Sequence, residues 1–364
     1  MADTFRFTSR SWSDIRERYE SWWHGEIEHP IIAIRVRRGT SSRCHGRHPF
    51  QRFTSNYPTS TKPIDIVESW RHELKQFEYL GDAFPMVMPD FGPGVLAAYL
   101  GCNLYRGAET AWFHPPREVE PDQLHLTWNP DEYWFQRTVD ICRAAVEHFQ
   151  GEVQISPPDL GGVMDVLASF RPSGGLLTDL YDYPQEIKRL NREVHELWFR
   201  YYHEINGILS ATNPGYTCWT PLLSDQPYWM LQCDFSYMIG PEMFAEFALP
   251  ELVASSEKLA RPFYHLDGPG QLDKLDRILA IADLKGIQWI PGAGQPEITE
   301  WPAVLRKIRD AGKLIQIFTF QSEKGFRVLD DIVSQLGSSR GIALIGEAKP
   351  EEIPQVQEMI RRYR

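Results

Sequence analysis

His265 and Asp267 stand two residues apart in FYHLDGPGQLDKL (263–275), at the end of an apolar run and just before a glycine–proline–glycine turn. On an extended segment that spacing puts both side chains on one face. An imidazole and a carboxylate so placed can ligate a divalent metal, zinc among others. They can also form an acid–base pair in which the carboxylate orients and charges the ring. A second reading makes Asp267 the cap of the helix expected from residue 270 and His265 a hydrogen-bonded core residue.

Three further carboxylates invite the same question. In QCDFSYMIGPEMF either Cys233 or Asp234 faces inward; Asp234 inside is a functional acid, and outside it is a turn former. Asp159, in SPPDLGGVMDVLA, suits a helix cap first and a ligand-binding acid second. Glu347, in LIGEAKPEE, suits a site but also suits a helix start, where the macrodipole favours negative charge.

These residues need elements to position them. Short apolar runs recur along the chain: PMVMP, VQISP, YTCWT, WMLQC, FYHLD, IQWI, LIQIF and IALIG. Continuous apolar runs, rather than alternating ones, fit parallel strands covered on both faces. Helical spacing appears at 63–81 and follows most of them, at 130–149, 184–209, 241–260, 270–281, 299–311, 324–336 and 350–363. Eight parallel strands, each handing over to a helix, predict a (β/α)8 TIM-type barrel over 63–364. An open doubly wound sheet is the runner-up, without the glycine-rich fingerprint that dinucleotide binding requires.

Residues 1–62 read as an α/β extension that packs on the barrel. SWSDIRERYESWWHGE has helical spacing and PIIAIRVRR reads as a strand. Trp22 and Trp23 suit a homodimer contact or a cover for one end of the barrel. The loop from 39 to 62 carries Cys44, His45 and His48, a conceivable metal cluster.

A barrel of this kind places its site at the C-terminal ends of the strands. That rule selects Asp90, Asp159, Trp219, Cys233, Asp234, His265, Asp267, Trp289, Gln316 and Glu347. Asp234, His265, Asp267 and Glu347 are the expected catalytic set. Asp90, Asp159, Trp219, Trp289 and Gln316 are the expected substrate contacts; the two tryptophans suit a flat ligand.

Composition narrows the partners. With 38 basic and 49 acidic residues among 364, the net charge of -11 repels phosphate backbones and argues against nucleic acid. Five scattered cysteines without a CxxC pair point to reduced thiols and a cytoplasmic protein. No secretory h-region and no run of eighteen apolar residues is visible, so no membrane is expected.

CDFSYMIGPEMFAEFALPEL (233–252), YHLDGPGQLDKL (264–275) and LTDLYDYPQEIKRL (177–190) resemble the uroporphyrinogen decarboxylase superfamily. Within it they are most similar to the corrinoid-linked methyltransferase branch, over about 65–364. The resemblance implies a TIM barrel and transfer of a methyl group between a corrinoid, presented by a partner protein, or a small methylated donor and an acceptor. Zinc-dependent members use a His-x-Cys pair and a later Cys. His265 matches the His, Asp267 stands at the Cys, and Gly346-Glu347 ends the last strand without a thiol. The set here is therefore His/Asp/Glu, which favours harder metals than thiolates do. The arginine-rich N-terminal clamp of the decarboxylases has no equivalent. Two alternatives stand beside methyl transfer: a carboxylate-based enzyme that cleaves glycosides or decarboxylates small acids, and a non-catalytic small-molecule-binding barrel.

Overall fold

The computed structural model describes residues 7, 9–38, 49–107 and 110–364. Cys44, His45 and His48 lie outside the described residues.

The strands are β1 (Ile31–Arg37), β2 (Phe77–Gly81), β3 (Met86–Val87), β4 (Asn103–Arg106), β5 (Ala111–His114), β6 (Gln154–Ile155), β7 (Tyr228–Gln232), β8 (Arg261–Asp267), β9 (Gly286–Ile290), β10 (Leu314–Phe318) and β11 (Ile342–Ala348). The fold is mixed α/β. A seven-stranded sheet runs in the order β2-β1-β11-β10-β9-β8-β7. All of its pairings are parallel except that of β1 with β2. Two further pairs stand apart from this ladder: parallel β3–β6 and the antiparallel hairpin β4–β5.

This differs from the expected elements. The helix expected over 63–81 ends at Leu74, and Phe77–Gly81 is the edge strand β2, paired antiparallel with β1. GYTCWTP forms only an isolated bridge, Tyr216 to Ser224. Pro214 and Pro221 flank it, and proline brings no donor to a ladder. Thr217 Oγ1 donates instead to the Leu222 carbonyl at 2.8 Å, a local turn bond that replaces ladder pairing. Conversely β1, expected in the N-terminal extension, lies inside the main sheet between β2 and β11. Its IIAI core is almost wholly buried, which explains why an interior position suits it.

The helices are α1 (Ser9–Trp23), α2 (Pro63–Leu74), α3 (Leu96–Tyr99), α4 (Tyr133–Phe149), α5 (Val163–Phe170), α6 (Ser173–Asp182), α7 (Pro184–Leu209), α8 (Pro241–Phe247), α9 (Leu249–Lys258), α10 (Leu275–Leu279), α11 (Pro302–Asp310), α12 (Val328–Leu336) and α13 (Ile353–Tyr363). The helix expected over 241–260 is two helices, because Pro250 sits in the first turn of a new one. The helix expected from 270 opens as a 3-10 segment, Pro269–Lys274, with Gly268 before it and no side-chain cap. Asp267 is therefore not a helix cap. Gly268 has φ +80, a backbone that L side chains rarely adopt. A Cβ there would also lie 2.9 Å from the ring of Tyr237, so only glycine lets the chain turn this closely after Asp267.

Trp22 and Trp23 face inward. Trp22 stacks near Phe263 at 6.3 Å and Trp23 meets Tyr228 at 5.6 Å. Among the described residues no helix is long and apolar enough to cross a membrane.

Candidate functional site

Parallel register builds the site in levels. Gln232 pairs with His265, His265 with Gln288, Gln288 with Gln316, and Gln316 with Ala343. Registered residues of parallel strands face the same side, so three amides and one imidazole form a polar level across β7 to β10. Gln288 and Gln316 are fully buried, and Gln232 nearly so. Two residues further along β8, period-two alternation returns Asp267 to the face of His265. Close approach beneath this level depends on Gly286: a Cβ there would fall 2.1 Å from the ring of Phe263.

Asp234 reaches the same place from β7 by a different route. β7 ends at Gln232, Cys233 turns into the core, and Asp234 opens a 3-10 segment. Asp165, in the first turn of α5, accepts the N–H of Asp234 at 3.1 Å and of Phe235 at 2.8 Å. Those bonds fix the backbone and leave the Asp234 side chain exposed just past the end of β7. One ligand atom each from Asp234, His265 and Asp267 then lie within 4.8 Å of one another. His265 Nε2 is 3.9 Å from Asp267 Oδ2. Trp219 stands edge-on to the His265 ring at 5.2 Å.

The other ring nitrogen is occupied. His265 Nδ1 lies 2.5 Å from Gln288 Oε1, and Gln288 Nε2 donates to Gln316 Oε1 at 3.1 Å. Nε2 is thus the nitrogen turned to the carboxylates.

Negative charge is in excess around this point. Burial, then the neighbouring charge of Asp234, raises Asp165 to about 7, against the two backbone N–H bonds it accepts. Burial followed by the charges of Asp90, Asp234 and Asp165 raises Asp159 to about 7, although the Gly161 N–H opposes this. Asp234 is raised to about 6 by the protein around it and by Asp267. Its side chain nevertheless reaches solvent, beside the like charge of Asp267. His265 is lowered by burial, in opposition to Asp267, the Gln288 bond and Asp165. Three donors of this kind, with too many carboxylates for the cations present, match the chemistry of a divalent cation site.

The remaining selected residues divide clearly. Asp90 and Asp159 follow the adjacent strands β3 and β6, and each accepts a glycine N–H two residues on at 2.9 Å. Asp159 feels the charges of Asp90, Asp234 and Asp165, which links this pair electrostatically to the three-residue group. Gln316 supports His265 through Gln288. Trp289 is fully buried on the opposite face of β9 and packs on Trp301 at 5.4 Å. Glu347 sits further out on β11 and pairs with Arg35 at 2.6 Å, outside the three-residue group.

Asp165 and Gln288 escaped the sequence reading. The first is an acid in a helix's opening turn, which ordinarily means a response to the macrodipole. Gln288 shared one signal with Gln316, a single amide inside an apolar strand, and GIQWI and LIQIF show it in parallel.

Two hollows, of about 640 and 520 Å³, lie at the other ends of the strands. The first is lined by α1 residues such as Trp12 and Arg16 with Asn213 and Asp225, the second by Trp23, Lys285, Lys313 and Arg340. Neither touches the His265 group. We locate the site by its donors, since neither hollow brings together a comparable set.

No family model and no curated protein matches the chain. Among solved structures it is similar to a methyltransferase from Methanosarcina mazei, with a TM-score of 0.61 at 10% identity. The match covers 96% of this chain and 98% of that one. At such identity the likeness is one of fold, and it extends over nearly the whole of both chains.

Proposed function

We propose that this chain is a methyltransferase-like enzyme of the uroporphyrinogen decarboxylase type. In this reading β3–β6 completes the main sheet as a (β/α)8 barrel, and the acceptor binds at the mouth beside Asp234, His265 and Asp267. The observation that carries it is the donor set itself, within 4.8 Å, at the strand ends of a fold shared with a methyltransferase. A divalent metal held by these three residues would supply Lewis acidity to the acceptor's heteroatom. With one nitrogen and two carboxylate donors the set suits Mn²⁺, Fe²⁺ or Zn²⁺ without the thiolate softness of a cysteine site.

The chain's own residues do the rest. Asp165 holds the Asp234 backbone, Trp219 walls one side of the imidazole, and half-buried Asp90 and buried Asp159 line the neighbouring strand ends. The methyl donor is a corrinoid on a partner protein or a small methylated compound. A cytoplasmic setting agrees with the free thiols of Cys102, Cys142, Cys218 and Cys233.

A second reading has its own observation. Asp159 and Asp165, raised to about 7, can hold protons at neutral pH and so act as general acids in a metal-free decarboxylation.

Elemental analysis of protein purified without chelators, wild type and His265→Ala, separates the two. About one metal per chain, lost in the variant, supports the first. The acceptor is then sought by following the methylcobalamin spectrum with candidate thiols and amines. Absence of metal uptake even after incubation with Mn²⁺, Fe²⁺ or Zn²⁺ would favour the second.

A further inference from the structure

His265 does not stand alone on its level of the sheet. Its Nδ1 meets Gln288 Oε1 at 2.5 Å, and the Gln288 amide nitrogen donates to Gln316 Oε1 at 3.1 Å. Both glutamines are fully buried, so neither amide has water as an alternative partner. A primary amide has one accepting and one donating end. Gln288 turns its nitrogen to the Gln316 oxygen and its oxygen to the imidazole. The imidazole end fixes this orientation, because a nitrogen 2.5 Å from Nδ1 would be closer than an N–H···N bond allows. An oxygen at 2.5 Å from Nδ1 needs a proton between them.

We infer that Gln288 is a positioning residue: with its nitrogen held by Gln316, it keeps the His265 proton on Nδ1 and presents Nε2 as a lone pair toward Asp267 and Asp234. A lone pair aimed at two carboxylates is electrostatically unfavourable unless a cation lies between them. The amide relay and the cation group are therefore parts of one device, and the inference rests to that extent on the metal reading above. Outer partners that fix a ligating histidine's tautomer typically alter metal affinity by about 10–100-fold. Gln316 adds an unsatisfied feature, since its Nε2 is buried without a partner. Its oxygen serves as the acceptor for the Gln288 amide nitrogen.

The test begins with metal-free, full-length protein labelled with 15N-histidine at neutral pH, with His265→Gln used to assign the resonance. A pyrrole-type Nδ1 and a pyridine-type Nε2 are expected in the wild type. An Nε2-protonated ring would overturn the proposal whatever the metal does, so this arm is independent of the metal reading. The second arm compares Mn²⁺ and Zn²⁺ dissociation constants for the wild type, Gln288→Leu, Gln288→Glu and Gln316→Leu. Gln288→Leu should weaken binding about 10–100-fold and lose the Nδ1 preference, while Gln288→Glu, which still accepts, should keep the tautomer. Gln316→Leu should fall between Gln288→Leu and the wild type, because the Gln288 amide nitrogen then loses its acceptor. Unchanged spectra and affinity in a folded Gln288→Leu protein would overturn the assignment. Should that variant fail to fold, the wild-type spectrum decides. A wild type with the expected tautomer but no metal affinity would sink the metal reading and leave the positioning role standing.

Discussion

The two ends of β8 carry charge to opposite effect. At its start Arg261, with a side chain only 7% exposed, bonds both oxygens of Glu20, one at 2.6 Å, and reaches Asp225 at 3.1 Å. Burial pushes Glu20 up, yet the Arg261 bonds and the Asp225 contact outweigh it and hold the acid below its ordinary value. At the end of the strand, six residues on, Asp267 and Asp234 crowd one imidazole and no arginine or lysine answers them in the described contacts. One end ties α1 to the sheet with its charges met. The other leaves partly exposed charges unmet, the arrangement expected of an end that binds a ligand, as proposed above.

The comparison breaks most visibly at Arg261. Arg261→Met should lower unfolding free energy by about 2–3 kcal/mol, because two acids remain near the core without their cation. The partial exposure of Glu20 and Asp225 keeps the figure below that of a fully buried pair. Urea denaturation at neutral pH reads it, and cation affinity should not change.

Asp267→Asn should show the reverse pattern. Mn²⁺ affinity should fall at least tenfold, about 1.4 kcal/mol or more, while unfolding free energy stays level or rises as the repulsion with Asp234 is relieved. A calorimetric titration and a urea curve on one preparation compare the two. A large loss of stability here would erase the distinction between the ends.

Asp159 sharpens the electrostatic side of the contrast. Its carboxyl is raised to about 7 in the fold, so between about pH 4 and 7 the folded chain holds a proton that the unfolded chain has released. The stability it contributes is full below about pH 4 and is lost as pH rises through about 7. Asp159→Asn should remove a slope of up to about 1.4 kcal/mol per pH unit across that window, seen in denaturation curves at successive pH values.

The smallest effect is expected at Glu347. Its pair with Arg35 is about half exposed on both sides, so Glu347→Gln should change stability by less than about 0.5 kcal/mol. Metal affinity should stay within twofold of wild type, since Glu347 is outside the donor group.

Much of this arrangement was legible in the residues. Apolar runs ending in polar side chains gave the order of most strands, and the spacing of His265 and Asp267 put both on one face. Asp234 was selected, but its direction depended on a backbone bond to Asp165 sixty-nine residues earlier. Gln316 was selected as a ligand contact and proves to be a support two strands away from His265. Trp289 lay one residue from the right face, and alternation sends it into the helix layer.

The sequence by itself determined the local matters: strand and helix periods, the glycine turn after Asp267, and which face His265 shares with Asp267. Those follow from backbone geometry over a few residues. Only the tertiary structure decided that β1 enters the main sheet, that Asp234 joins the pair, and that Gln288 and Gln316 hold the imidazole. Each depends on register between strands distant in sequence, and register is fixed when the whole core packs.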